Sequence, residues 1–215
     1  MPCFRSATVV NSTISDNKAL NEGGGIDSPS GLLLTNSTVS GNTALTFGGG
    51  IAVSSLFYTI DYCTIYRNTA TQDGGGIAIY QNRPKVPFQN DHGNGIGESV
   101  VAGNHAHTSP NISGAFGSHG YNLFQNVSPF TNFVPLNVQS TDMEVSTSTF
   151  LGIDSLLRKN GGQTPTHALI PGSPAIDSIP PDTCQVIGII NDQRGVKRPQ
   201  GDGCDIGAYE YKSSP

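Results

Sequence analysis

Tryptophan is absent from this 215-residue chain, methionine occurs twice, and charged residues make up only 13% of it. An average soluble domain carries about 25% charge, so long helices with solvated charged faces are excluded as the main building element. Hydrophobic residues stop at 35%, less than a thick globular core of this length normally holds. Only 11 Lys and Arg stand against 16 Asp and Glu, for a net charge of -5, so the basic footprint of a nucleic-acid binder is missing. No apolar run approaches the ~18 residues of a membrane helix. The opening MPCFRSATVVNSTIS has neither the charged n-region nor the apolar h-region of an export signal.

What is abundant is glycine (27) and proline (14), with many Asn, Ser and Thr. These residues favour turns and strand edges over helix interiors. The length fits one elongated all-β domain.

Internal repeats set the architecture. N-S-T-I-S-D-N at 11–17, N-S-T-V-S-G-N at 36–42 and D-Y-C-T-I-Y-R-N at 61–68 are followed by a fourth copy, S-V-V-A-G-N, at 99–104. The first three copies each lead into a glycine triplet and an isoleucine: Gly23 to Ile26, Gly48 to Ile51 and Gly74 to Ile77. A period near 25 with short strand-like runs and no heptads matches one coil of a parallel β-helix. Strand alternation puts Ile14, Val39, Ile65 and Val101 into one inward column and the small Ser12, Ser37, Cys63 and Ser99 into another. Ile26, Ile51 and Ile77 start a further inward column continued by Val53 and Ile79, and Ala19, Ala44, Ala70 and Ala106 fit a tight corner.

Asn17, Asn42, Asn68 and Asn104 fall at one corner and read as an asparagine ladder, each amide bonding to its equivalent one coil away. The glycine triplets lack the Lys and the strand-to-helix context of a phosphate loop and read as sharp corners. Thr13 and Ser15, Thr38 and Ser40, and Thr64 and Tyr66 occupy outward positions and form a hydroxyl flank without acids.

These motifs resemble a known family. N-S-T-V-S-G-N-T-A-L with G-G-G-I, S-V-V-A-G-N, and G-Y-N-L-F (Gly120 to Phe124) carry the likeness. It continues through N-G-G-Q-T-P-T-H-A-L-I-P-G-S-P-A-I-D (Asn160 to Asp177) and D-Q-R-G-V-K-R-P-Q-G-D-G-C-D-I-G-A-Y-E (Asp192 to Glu210). Together they are similar to bacterial surface proteins of the choice-of-anchor Q group, with a pectin-lyase-like fold. The resemblance implies a right-handed parallel β-helix at the cell surface or outside the cell, and no defined reaction. It covers nearly the whole chain. The departures are at the ends: the sequence begins almost within a coil and stops at K-S-S-P without an anchor, as a fragment would.

The expectation is therefore one continuous domain of six to eight coils. Residues 1–107 would be regular, 108–159 less regular, and 160–215 would carry a C-terminal cap. An exported protein would let Cys184 and Cys204 pair, holding the D-Q-R-G loop against the last coil. A thiolate catalyst is the rival reading, without a His in motif relation. Cys63 reads as a small buried thiol and Cys3 has no reading.

The interval from Asn68 to Asn104 is ten or eleven residues longer than the others, which places an insertion at 81–97. Insertions in solenoids become loops on one face, often the binding face. Arg83, Lys85, Asp91 and His92 occur there, and His105 and His107 follow at the next corner. The preferred function is a non-catalytic contact with polysaccharide or another surface polymer, with Arg83, His105, His107 and Tyr66 as binding candidates. The alternative is a polysaccharide lyase or glycoside hydrolase, with Lys85 or Arg83 as base or charge neutraliser, Asp91 as acid or calcium ligand, and His92 in support. A third reading treats the hydroxyl flank as an ice-binding face. No cofactor is expected. Calcium is considered for Asp202 and Asp205 in G-D-G-C-D, where the ligand set is incomplete. His167 reads as a hydrogen-bonded structural residue.

Overall fold

A computed structural model of the chain describes residues 6–55, 57–80, 94–126, 138–184 and 188–212. Among these residues it is all-β, with one four-residue helix, Pro181–Cys184. All strand pairs are parallel and stack as a β-solenoid of about four turns. Six to eight coils were expected, and the number is smaller because the chain leaves the solenoid after Met143–Val145.

Four sheets form the walls. The first contains Ala7–Val10, Leu32–Thr35, Tyr58–Asp61, Gly95–Gly97 and Ser118–Gly120. The second contains Thr13–Ser15, Thr38–Ser40, Thr64–Tyr66, Val100–Ala102, Leu123–Gln125 and Met143–Val145. The third is narrow, with Lys18–Ala19, Thr43–Ala44 and Thr69–Ala70. The fourth contains Ile26–Ser28, Ile51–Val53, Ile77–Ile79 and Ile112–Ser113.

Register follows the repeat. Ile14 pairs with Val39, Val39 with Ile65, Ile65 with Val101 and Val101 with Phe124. From Val39 onward these side chains are closed to solvent and join the isoleucines of the fourth sheet in one core. Each such burial contributes about 1.5–3 kcal/mol. A second core lies outside the solenoid. Val100, Ala102 and Leu123, on the outer face of the second sheet, pack with Ile153, Leu169, Ala175, Ile179 and Ile206 of the C-terminal segment.

The corners explain the turn residues. Asn11, Asn36, Tyr62, Glu98 and Tyr121 all have φ between 46° and 53° and link the first sheet to the second. Gly23, Gly48 and Gly74 take φ from 63° to 66°. The second glycine of each triplet is required by crowding: a Cβ on Gly49 would lie 2.3 Å from the Thr69 carbonyl oxygen and 2.4 Å from that of Gly75.

Polar ladders hold the corners together. The amide Nδ2 of Asn42 donates to Asn68 Oδ1 at 3.0 Å and to the Ile14 carbonyl at 2.9 Å, and Asn68 repeats this toward Asn104 and Val39. Asn17 begins the ladder and Asn111 extends it beyond Asn104. A second ladder runs through the small inward column. Ser37 Oγ accepts the Ser12 N–H, and Ser99 Oγ that of Cys63. Asn122 Oδ1 accepts the Ser99 N–H and Asp142 Oδ1 that of Asn122. Cys63 donates its thiol to the Asp61 carbonyl, and complete burial raises its pKa, so it remains an inert thiol.

Candidate functional site

The C-terminal segment, described over residues 151–184 and 188–212, decides which surfaces are open. It does not cap the last coil alone as expected; it runs along the outer face of the second sheet, from Thr13 and Thr38 to Met143 and Val145. Gln193 reaches down to accept from Thr38 Oγ1 at 2.6 Å and to donate to Thr13 Oγ1 at 2.8 Å. Ala208 N–H donates to Thr64 Oγ1, Gly207 N–H to the Glu98 carbonyl, and Asn36 Nδ2 to the Asn191 carbonyl. Thr38, Ser40 and Thr64 are therefore buried. The hydroxyl flank read as an open face is the seat of the C-terminal segment, which removes the flat array an ice-binding surface needs.

Two charged groups lock this segment internally. Arg198 is buried, donates to Glu210 Oε2 at 2.8 Å and to the Asp205 and Gly207 carbonyls, and lies over the Tyr62 ring. Arg194 pairs with Asp192 at 2.6 Å, and Asp192 also accepts the N–H groups of Arg194, Val196 and Glu210. The expected Cys184–Cys204 disulfide is formed, with Cα atoms 5.9 Å apart. Asp192, Arg194, Arg198, Asp205 and Glu210 of the D-Q-R-G-V-K-R-P and G-D-G-C-D-I-G-A-Y-E stretches are thus consumed in holding the segment, while Lys197 and Asp202 are exposed.

His167 is part of the same seat. Its Nδ1 lies 2.7 Å from the Asp154 carbonyl, which can only accept, so Nδ1 carries the proton and Nε2 accepts from Ser40 Oγ at 2.7 Å. Burial lowers its pKa and keeps it neutral. Tyr66 packs edge-on against the same imidazole, with ring centroids 4.9 Å apart, and belongs to this interface rather than to a free surface. Burial, reinforced by Asp61 and Asp142, pushes the Glu98 carboxyl up to about 8, and burial with Glu210 nearby pushes Asp205 up to about 7. Burial also raises Glu210, against the opposing charge of Arg198.

On the outer face of the first sheet, Asp61 Oδ1 lies 3.1 Å from His119 Nδ1. The imidazole occupies space that side chains at Gly95 and Gly97 would fill: a Cβ on Gly95 would lie 2.7 Å from Nε2 and one on Gly97 2.9 Å from the histidine Cβ. The pairing of Ile96 with Ser118 and Gly97 with Gly120 leaves His119 as the extra residue of a bulge, the device that re-aims it. His119 Nε2 and Glu98 Oε2 are buried without hydrogen-bond partners among the described residues. The sequence reasoning missed this pair. Its signal was the G-I-G strand, where two glycines replace the Thr59 and Asp61 of the preceding coil.

Among the described residues nothing covers the narrow third sheet. Lys18, Thr43, Thr69 and His105 align in one outward column, and Leu20, Leu45, Thr71 and His107 follow two residues on in a second. The alanines between them point inward; Ala44, Ala70 and Ala106 are buried, while Leu20 is 82% and Leu45 53% exposed. His105 and His107, both exposed, thus share one rung of an open array. Arg83, Lys85, Asp91, His92 and Cys3 lie outside the described residues. No group of three metal-ligating side chains occurs among the described residues, and no described helix is long and apolar enough to cross a membrane.

No protein-family model matches this chain, and neither a curated protein nor a solved structure matches it.

Proposed function

We propose that the chain is an extracellular or cell-surface β-solenoid that contacts a polysaccharide or another surface polymer without transforming it, a member of the choice-of-anchor Q type of surface protein. The observation that carries this reading is the open array on the third sheet. It repeats a Thr, Lys or His beside a Leu, Thr or His on successive rungs about 4.8 Å apart. Such a stripe offers both hydrogen-bonding groups and apolar contact along the axis, as an extended sugar chain requires. The Cys184–Cys204 disulfide supports an oxidising compartment. Glycan-array binding and pull-down with insoluble polysaccharides test the proposal, and folded protein that binds no polymer would leave a structural stalk as the better reading.

A second reading, a carbohydrate-active enzyme built around the 81–97 insertion, draws support from the Asp61–His119 pair beside that insertion and the Glu98 carboxyl next in the chain. Lyase action leaves an unsaturated product that absorbs in the ultraviolet, and hydrolysis leaves new reducing ends. Neither signal on uronate-containing and neutral polymers would remove it.

A further inference from the structure

The fourth copy of the corner motif departs from the first three at two outward positions of one rung. N-K-A-L, N-T-A-L and N-T-A-T become N-H-A-H, while the ladder Asn104 and the inward Ala106 are kept. The packing of the solenoid therefore does not ask for histidine here, because hydroxyl and aliphatic side chains serve the same two places on the other rungs.

We propose that His105 and His107 form a two-imidazole clip for a divalent transition-metal ion of the copper, nickel and zinc class. Four observations meet at this rung. The two residues flank the buried Ala106 and both stand on the outer face, no more than about 6.6 Å apart along the chain at 3.3 Å per residue. Two imidazoles at that spacing can converge on one ion at metal–nitrogen distances near 2.0–2.1 Å. Both residues are exposed, so neither ring is committed to the core. Thr69 pairs with His105 on one side, and among the described residues no further third-sheet strand stacks on the other.

Imidazole nitrogen suits this class of ion, whereas calcium and magnesium prefer oxygen. Thr69 and Thr71 occupy the neighbouring rung. With two protein ligands, the remaining coordination positions are left to water or to oxygen donors of a bound molecule. The site stands independently of the polymer reading, since either could fail alone.

The test uses the full chain, with Cu(II) and Zn(II) titrated calorimetrically and the copper complex examined by electron paramagnetic resonance. One saturable equivalent is expected, with two nitrogen ligands in the spectrum. His105→Asn and His107→Asn should each weaken binding at least tenfold while the circular dichroism spectrum is unchanged, and His92→Asn should leave it intact. Binding that persists in the double variant His105→Asn/His107→Asn, a loss only in His92→Asn, or a spectrum without two nitrogens would overturn the proposal.

Discussion

Glu98 offers a direct handle on the seat of the C-terminal segment. It occupies a corner with φ of 46°, accepts the Gly207 N–H through its carbonyl, and keeps Oε2 buried without a partner among the described residues. Its carboxyl rises from 4.5 to about 8 on folding, chiefly through burial and then through Asp61 and Asp142. A carboxyl raised in the folded state binds more protons than in the unfolded chain between those two values, so folding stability falls as pH rises through that window. The stabilising contribution is complete below about pH 4.5 and gone above about pH 8, a span worth about 5 kcal/mol, of which about 2 kcal/mol lies above pH 6.5. Glu98→Gln keeps the shape of the protonated side chain and cannot ionise. Urea unfolding of both proteins from pH 5 to pH 9, disulfide intact, isolates this group, because titrations common to both cancel in the difference. The variant should gain on the wild type steadily as pH rises, by several kcal/mol at pH 9. A difference that stays constant with pH would show that Glu98 does not titrate as its burial requires.

Further outcomes follow from the same contacts. Cys204→Ser opens a 20-residue loop, which is worth about 3 kcal/mol; its melting temperature should fall by several degrees, with reductant lowering the wild type similarly and the variant hardly at all. Asn68→Ala removes an amide that serves Asn42, Val39 and Asn104 and should cost about 3 kcal/mol or more by denaturant unfolding, whereas Asn17→Ala, at the exposed end of the ladder, should cost about 1 kcal/mol. Gly49→Ala drives a methyl into two backbone carbonyl oxygens and should give insoluble or unfolded protein, as read by expression and circular dichroism. His167→Gln should lessen the stability lost as pH falls below about 6.5, since a buried neutral imidazole resists the proton that the unfolded chain accepts.

The solenoid was legible because its cause is local and repeated. Asn17, Asn42, Asn68 and Asn104, the glycine triplets and the Ile14–Val39–Ile65–Val101 column each sit where one coil length from the previous copy places them. The continuation of the ladders was hidden by changes of residue type or spacing: Asn111 follows Asn104 by seven residues, and Asn122 and Asp142 replace serine. The docking of the C-terminal segment depends on contacts such as Gln193 to Thr13, 180 residues apart, which no period can reveal. A sign was nevertheless present. Val100, Ala102 and Leu123 stand on outward positions where earlier coils have hydroxyls, and apolar residues on a strand's outer face must be covered by something. Of the site candidates, His105 and His107 were read at one corner and the structure places both outside around the buried Ala106, while Tyr66, on a neighbouring sheet, is taken by His167.

The central claim, that the third-sheet array is the polymer-contacting surface and the hydroxyl flank is not, is tested most directly by co-sedimentation with a panel of insoluble cell-wall polysaccharides. Wild type, Leu45→Asp and Thr38→Val are compared at equal concentration, each confirmed folded. Leu45 is 53% exposed, so its replacement costs the fold little, and Thr38 lies beneath Gln193. The account predicts that wild type and Thr38→Val sediment with at least one polysaccharide and that Leu45→Asp stays in solution. Sedimentation of Leu45→Asp equal to that of wild type would contradict it.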